Sequence, residues 1–346
     1  MQPVGDPLRR ARLTAVGWGA NLLVEESEGL PEPAGSDVRV AVEACGVCHR
    51  DVIDRDGRFP FMRVPITPGH EAVGEVTAAG PDVVDFCVGD RVATMHRDFC
   101  GSCRACASGN PSQCELGASV FGLTIDGGYA TELSAPERCF YAAPPDMPAA
   151  EAAILHCTFG TAYRGLVRLG AVASGSRVLV TGANGGVGTA AVQVATRLGA
   201  RVVAVVRTAE HVAYVEALGA DQVIVDDGRG FYKQVGDAVD VALDCVGPPT
   251  FNAALRSLRS GGTLVVIGNV ETQRPELNLG YLVTRGLRVC GSAGATRQDM
   301  QELLRLHDRT PLSFCIEDRL PLDSADAAQR RVRAGGLRGR LVLAVE

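Results

Sequence analysis

Lysine is nearly absent from this chain. Lys233 is the only one in 346 residues, so chemistry run through a lysine Schiff base has a single candidate and is a weak reading. An excess of positive charge is missing too. The net charge is −6 and the arginines are scattered, which argues against a nucleic-acid binder, whose surface needs a basic patch or stripe. No apolar stretch approaches the length needed to cross a bilayer. Met1 to Ala20 mixes charge with Pro and Gly where a secretory leader would have an apolar core. There is no internal repeat and no low-complexity segment. Twelve cysteines without an export signal therefore read as metal ligands and free thiols in a reducing cytoplasm. What is left is an ordinary globular composition, 46% hydrophobic and 21% charged, in a chain long enough for two domains with their own cores.

Up to about residue 140, short β-rich runs alternate with Gly/Pro/Asp turns, with strands expected at Val38–Glu43, Ala72–Ala78 and Arg91–Met95. This pattern predicts an irregular, barrel-like β domain with long functional loops. The character changes near Pro144-Pro145-Asp146-Met147-Pro148. A helix is expected over Ala149–Leu169, then strand Arg177–Val180, a helix from Gly186 to Leu198, strand Arg201–Val206, helix Ala209–Leu218 and strand Gln222–Val225. Strand Val239–Leu243, helix Thr250–Leu258 and strand Thr263–Ile267 continue the series. Such alternation implies an α/β doubly wound parallel sheet. After about residue 296 the alternation fades, and a last strand, Gly339–Val345, is expected to rejoin the first domain.

Four cysteines, Cys100, Cys103, Cys106 and Cys114, stand at spacing C-x2-C-x2-C-x7-C. Four soft thiolates so close together suit one tetrahedral Zn2+ with no open position, a structural site. The residues between them are small or turn-forming, as a loop wrapped around an ion requires. Two disulfides, or cysteines buried as small hydrophobes, are the alternatives.

Thr181-Gly182-Ala183-Asn184-Gly185-Gly186-Val187-Gly188 follows an apolar strand and opens an amphipathic helix. The glycines let the backbone turn tightly and approach a pyrophosphate, which the helix N-terminus favours through its N–H donors and dipole. A tight turn that binds nothing is the alternative. An NAD site usually places Asp or Glu at the end of the second strand to accept the ribose hydroxyls. Here that strand ends Val205-Val206-Arg207-Thr208. Arg207 is suited to a 2′-phosphate, which favours NADP(H) over NAD(H); a solvent-facing arginine is the alternative.

Cys48, His49 and Asp51 sit together, Gly69-His70-Glu71 follows downstream, and Cys157 lies much later. Cys48, His70 and Cys157 make a set of two thiolates and one imidazole that would leave zinc an open fourth position, as a catalytic site needs. Each alone also reads plainly, Cys157 as a core residue and His70 as a hydrogen-bonded loop histidine. Taken with Gly89-Asp90-Arg91-Val92, the cysteine tetrad, the glycine fingerprint and the terminal Gly339-Arg340, these motifs resemble the zinc-containing medium-chain dehydrogenases/reductases, the superfamily of the zinc alcohol dehydrogenases.

That resemblance covers essentially the whole chain. It implies a GroES-like β-rich catalytic domain over residues 1–158, a Rossmann NADP(H)-binding domain over 159–296, and a return segment, 297–346, that completes the first. It implies two zinc ions per chain, one catalytic and one structural. By motif position Cys48, His70 and Cys157 correspond to catalytic zinc ligands, and Glu71 to a carboxylate that approaches the metal when the fourth ligand exchanges. Asp51 matches the acid that orients the ligating histidine, and His49 and Arg340 match positions that neutralise the cofactor pyrophosphate. The fingerprint glycines Gly182, Gly185, Gly186 and Gly188, with Val187, correspond to the pyrophosphate turn. Relatives commonly pair through the edge of the Rossmann sheet, so a homo-oligomer (dimer or tetramer) is expected.

One departure matters. Many alcohol dehydrogenases carry Ser or Thr two residues after the first ligand cysteine, as a proton relay; here that position is Arg50, and the next relay position, often histidine, is Ile53. A guanidinium is always charged and cannot act as a neutral proton shuttle. His49 is the substitute considered, since an imidazole titrates near neutrality. The stretch Cys48-His49-Arg50-Asp51 with Gly57-Arg58-Phe59-Pro60, and Tyr163-Arg164-Gly165 soon after Cys157, also resembles the zinc-binding acryloyl-CoA reductase branch, where Arg50 would meet an anionic group. The leading expectation is reversible hydride transfer between NADP(H) and an alcohol/carbonyl pair. Reduction of an enoyl thioester or other ene is the alternative, and a non-catalytic NADPH-binding protein is a third.

Overall fold

The computed structural model describes residues 7–19, 22–117, 119–226, 228 and 230–345. The chain divides into two units. The first takes Met1–Cys157, Ile316–Gly335 and Arg340–Glu346; the second takes Thr158–Cys315 and Gly336–Gly339.

In the first unit a seven-stranded sheet runs in the order Ile316–Pro321, Arg340–Ala344, Asp37–Val47, Glu71–Ala79, Arg91–Thr94, Phe140–Ala142, with Glu132–Pro136 also paired to Asp37–Val47. Leu8–Arg12 and Leu23–Ser27 form a separate antiparallel ribbon. Strand Asp37–Val47 alternates partly and fully buried positions until Ala44, then is buried continuously to Val47. Its end delivers Cys48 directly into the short helix His49–Arg55. The adjacent strand begins at Glu71, one residue after His70. Two neighbouring antiparallel strands thus set the Cys48 and His70 positions side by side, with Gly46 paired to Glu71.

The second unit holds a six-stranded parallel sheet in the order Gln222–Val225, Arg201–Val206, Arg177–Thr181, Val239–Asp244, Leu258–Val266, Arg288–Gly291. The earliest strand, Arg177–Thr181, is central, and the order reverses beside it, as in a Rossmann sheet. Parallel strands covered on both faces need continuous apolar runs. Val202 to Val206 are all buried, and Leu179, Val203, Phe231, Leu258 and Leu264 share one core cluster. Each such side chain contributes roughly 1.5–3 kcal/mol by leaving water.

The strands and helices expected up to residue 267 are present, with ends displaced by a few residues. Ala149–Leu169 is helical, but it widens to π-helix over Leu155–Gly160 and again over Arg164–Leu169. The edge strand Arg288–Gly291 was not anticipated. The return expected at residue 297 begins instead at Ile316. Residues 297–315 stay with the second unit because helix Arg297–Arg309 carries Asp299, which accepts from Arg164 (2.8 Å) and Arg168 (2.9 Å), while Glu302 accepts from Tyr163 (2.8 Å). No helix among the described residues is long and apolar enough to cross a membrane.

Gly74 shows how closely the first sheet is packed. A Cβ there would stand 1.9 Å from the Ala41 carbonyl oxygen, beside a register shift between Val42 and Ala44. Gly74→Ala is expected to cost about 1–3 kcal/mol through backbone displacement, read as a lower midpoint in urea unfolding. An unchanged midpoint would contradict this packing.

Candidate metal centres and dinucleotide cavity

The Asp51 carboxylate organises the first centre. It is 2% exposed and lies in the first turn of helix His49–Arg55. Oδ2 accepts the Cys48 backbone N–H at 2.9 Å, which fixes the entry into that helix. Oδ1 lies 2.9 Å from His70 Nδ1. A carboxylate only accepts, so Nδ1 carries a hydrogen, and Nε2 is the nitrogen a metal would take in exchange for a proton. Nε2 points toward Cys157 Sγ at 3.4 Å, and Cys157 Sγ is 3.9 Å from Cys48 Sγ. Thr94 fixes the backbone of the same loop, its hydroxyl donating to the His70 carbonyl at 2.7 Å.

Cys48, His70, Glu71 and Cys157 each offer one ligand atom, and these lie within 4.8 Å of one another. Around one tetrahedral zinc, sulfurs at their usual distance would lie roughly 3.8 Å apart, and sulfur and nitrogen roughly 3.6 Å. The observed separations fit. The electrostatics favour a cation as well. The Cys157 thiol donates to Cys48, which holds Cys48 well below and Cys157 well above the ordinary thiol range. Burial and the Arg50 charge act to lower the His70 imidazole, but Asp51 outweighs them and it rises to about 9. Burial pushes Glu71 up to about 7 against the pull of Arg340. Protons crowd this cluster where a divalent ion would replace them.

Arg340 forms a bidentate pair with Glu71, at 3.2 Å from Nε and 2.7 Å from Nη2, and is itself 7% exposed. Gly46 makes room for this pair, since a Cβ there would lie 2.1 Å from Glu71 Oε2. His49 is partly buried at the helix N-terminus, and burial lowers its imidazole from the ordinary value. Arg50 is not a surface arginine. Its side chain is 20% exposed, faces Asp54 at 3.4 Å and donates to the Phe121 carbonyl. Its Nε lies 3.2 Å from His70 Nδ1, but that nitrogen already carries a hydrogen for Asp51, so this is a packing contact of two donors.

Cys100, Cys103, Cys106 and Cys114 form the second group, all within 4.8 Å. Sulfur separations of 3.9 Å (Cys100–Cys106), 3.5 Å (Cys103–Cys106) and 3.8 Å (Cys103–Cys114) again fit one tetrahedral ion. They are far too long for the bonds of about 2.05 Å in disulfides, and all twelve cysteines are free. The Cys103 backbone N–H reaches Cys100 Sγ at 3.2 Å and lowers that thiol to about 6.

In the second unit, Gly182 turns with φ +58°, and a Cβ on Gly188 would lie 2.1 Å from the Gly182 oxygen. The turn therefore depends on its glycines, and Gly185, Gly186 and Val187 form the start of helix Gly186–Arg197. Beside it lies a cavity of about 270 Å³ lined by Gly182, Asn184, Arg207, Thr208, Asp226 and Thr250, among others. That is near the lower end of the roughly 300–1,000 Å³ of ligand clefts, so it suits part of a dinucleotide. Arg207 is thus at the cavity, while Tyr163 is spent on a hydrogen bond to Glu302 and Arg164 on an ion pair with Asp299.

Two residues of the first centre were not anticipated. Tyr129 is fully buried and its hydroxyl donates to Asp51 Oδ2 at 3.0 Å. A Cβ on Gly69 would lie 2.4 Å from the Tyr129 ring, so the glycine before His70 makes space for that ring. The double glycine before Tyr129 was the available signal, since a Cβ on Gly127 would strike the Gly69 carbonyl at 1.9 Å. Asp54 is the other. It is 2% exposed, and among the described residues neither of its oxygens has a hydrogen-bond partner, while Arg50 stands in an ion pair at 3.4 Å. Burial first, then the charge of Asp51, outweigh Arg50 and push its carboxyl up to about 7.

Residues 34–145 match the alcohol dehydrogenase GroES-like domain family, and residues 186–309 match the zinc-binding dehydrogenase family. The chain is 34% identical to acryloyl-coenzyme A reductase of Sulfurisphaera tokodaii over 90% of its length and 93% of that protein. It is also 34% identical to an alcohol dehydrogenase of Geobacillus stearothermophilus over 94% of its length and 96% of that protein. Among solved structures, AibC superposes with a TM-score of 0.91 at 39% identity, covering 98% of this chain and 96% of that one.

Two predictions follow from the buried hydroxyl and the unpartnered carboxyl. Tyr129→Phe leaves Asp51 one donor short and should weaken zinc retention at the Cys48 centre about 10-fold or more against a chelator; unchanged retention would exclude a role for the hydroxyl. A carboxyl with a raised folded pKa adds stability below its unfolded value and loses it as pH rises through the folded one. From its ordinary 3.8 to about 7, the wild type should therefore lose up to about 1.4 kcal/mol per pH unit relative to Asp54→Asn. Urea unfolding of both proteins across that window checks this, and a constant difference would contradict it.

Proposed function

The chain belongs to the zinc-binding dehydrogenases of the medium-chain alcohol dehydrogenase superfamily, and on that premise we propose that it reduces the activated carbon–carbon double bond of an enoyl thioester with NADPH. The observation that carries this reading is Arg50. A guanidinium stands where alcohol dehydrogenases of this superfamily place a neutral hydroxyl relay, and it is anchored there by Asp54 and the Phe121 carbonyl. Alcohol oxidation must shed a hydroxyl proton, and Arg50 cannot take it. Reduction of a conjugated double bond instead drives transient negative charge onto the carbonyl oxygen, which a fixed nearby cation favours. The relatives named acryloyl-coenzyme A reductase support the same substrate class.

Cys48, His70 and Cys157 would hold the zinc of this centre, which supplies Lewis-acid polarisation of a carbonyl. Asp51 keeps His70 in the tautomer that ligates, and the Arg340 pair holds the Glu71 carboxylate close to the same donors. The cysteine tetrad would hold a second zinc with no open position and acts as a structural staple. In the second unit the Gly182–Gly188 turn receives the pyrophosphate of the nicotinamide cofactor, which supplies the hydride, and Arg207 favours the 2′-phosphate. Reversible alcohol/carbonyl chemistry is the second reading, favoured by the intact set of two thiolates and one imidazole.

The sheet of the second unit ends at Arg288–Gly291, which has a strand on one side only. Val289 on that strand and Leu279 and Val283 on the preceding helix are exposed. We infer that two copies pair across this edge, covering apolar surface that a monomer rarely leaves open.

NADPH oxidation should be faster with crotonyl- or acryloyl-CoA than with a panel of aldehydes. The reverse ranking would favour the carbonyl reading and overturn this one. Arg50→Thr should gain activity on simple alcohols while losing it on the thioesters. Leu279→Asp with Val283→Asp should halve the mass seen by light scattering if the edge is the interface, and an unchanged mass would exclude it.

A further inference from the structure

The cavity beside the glycine turn poses an electrostatic problem for the cofactor assigned to it. Arg207 lines it, but so do Glu210, Asp226 and Glu271. The Glu210 carboxylate is close at hand, accepting from the Thr208 hydroxyl at 3.1 Å. One guanidinium facing three carboxylates is a poor receptor for a phosphate dianion, because the acids cancel the field that Arg207 supplies. With those groups alone the cavity would suit the uncharged ribose hydroxyls of NADH equally well.

A second guanidinium comes from a distant part of the sequence. Gly336–Gly339 belongs to the second unit although the residues on either side of it belong to the first. It is fastened to the glycine turn, the Gly339 N–H donating to the Asn184 carbonyl at 2.7 Å and the Asn184 side chain donating to the Leu337 carbonyl at 2.8 Å. Gly339 takes φ +89°, and a Cβ there would stand 2.0 Å from the Cys315 carbonyl, so the segment has little freedom to shift. Gly336 lines the cavity. Arg338 follows two residues later, with Nη2 donating to the Glu210 backbone carbonyl at 3.3 Å and the guanidinium 5.8 Å from the Tyr214 ring. The tie to Glu210 sets this exposed side chain beside a residue that, with Arg207 and Thr208, lines the cavity.

We propose that Arg338 is a second specificity-determining residue for NADP(H), its guanidinium joining that of Arg207 in receiving the 2′-phosphate while Glu210 opposes it. This rests on the NADP(H) preference proposed above. A phosphate offers three acceptor oxygens, and guanidiniums recognise such groups with paired, charge-assisted hydrogen bonds that a ribose hydroxyl cannot return. With Arg338 present a second cation joins Arg207 against Glu210, Asp226 and Glu271; without it the balance turns further against the dianion.

The test is direct binding to the full-length, zinc-loaded protein, following the fluorescence of NADPH and NADH, with 2′,5′-ADP and 5′-AMP as competitors. The wild type should bind NADPH and 2′,5′-ADP more tightly than NADH and 5′-AMP. Arg338→Ala should lose about 10-fold or more of its affinity for the two 2′-phosphorylated ligands, with NADH and 5′-AMP unchanged, a difference that loss of folding would not produce. Arg338→Lys should restore part of the loss, and Glu210→Gln should tighten NADPH selectively. If Arg207→Ala abolishes the preference while Arg338→Ala leaves it intact, or if Arg338→Ala weakens all four ligands equally, Arg338 has no such role and the NADP(H) reading stands without it. A wild type that binds NADPH no better than NADH overturns both.

Discussion

The first unit is arranged around one buried carboxylate. Asp51 receives the Cys48 backbone N–H, the His70 Nδ1–H and the Tyr129 hydroxyl, and each donor comes from a different stretch of chain. One group thereby fixes where the first thiolate leaves its strand, which imidazole nitrogen is free to ligate, and how the Gly127–Tyr129 segment packs on the Gly69 loop. Removing such a group would leave three buried donors short of an acceptor, which is far more costly than the mean worth of a hydrogen bond. On the other flank the Glu71–Arg340 pair closes the cluster, and Gly46 and Gly69 are glycines because a Cβ at either would occupy this machinery. Small-residue motifs around the ligands are thus consequences of the charged groups packed against them.

Charge is arranged in layers beyond that hub. The Cys48 and Cys157 sulfurs and His70 have Asp51, Glu71, Arg340 and Asp54 buried around them, with Arg50 partly exposed beside Asp54. Replacing a neutral relay hydroxyl by Arg50 changes the sign of that layer, and Asp54 one helical turn along answers it. The second unit repeats the theme at its cavity, where arginines and carboxylates from separate segments stand together.

Local patterns were legible in the sequence. The Gly182–Gly188 turn and the cysteine tetrad are encoded by contiguous residues, so spacing alone marked both as units that the fold holds together. Cys48, His70 and Cys157 are remote in sequence, and their grouping came from the resemblance to a family. Tyr129 was hidden because an aromatic after two glycines reads as a loop residue, and nothing local announces that its hydroxyl meets Asp51. Asp54 reads as one more polar position on a short helix; only packing makes it a buried carboxyl facing Arg50. The return at Ile316 was misplaced for a similar reason, since the amphipathic pattern of helix Arg297–Arg309 is the same whichever unit it covers. Its allegiance was decided by Asp299 and Glu302 finding Arg164, Arg168 and Tyr163.

The central claim is that Asp51 assembles a metal centre independent of the cysteine tetrad. Zinc content of purified wild type and Asp51→Asn, measured by plasma mass spectrometry after dialysis against a mild chelator, tests it most directly. The account predicts two zinc ions per wild-type chain and one in the variant, with the remaining ion held by Cys100, Cys103, Cys106 and Cys114. A variant that keeps both ions as firmly as the wild type would contradict it.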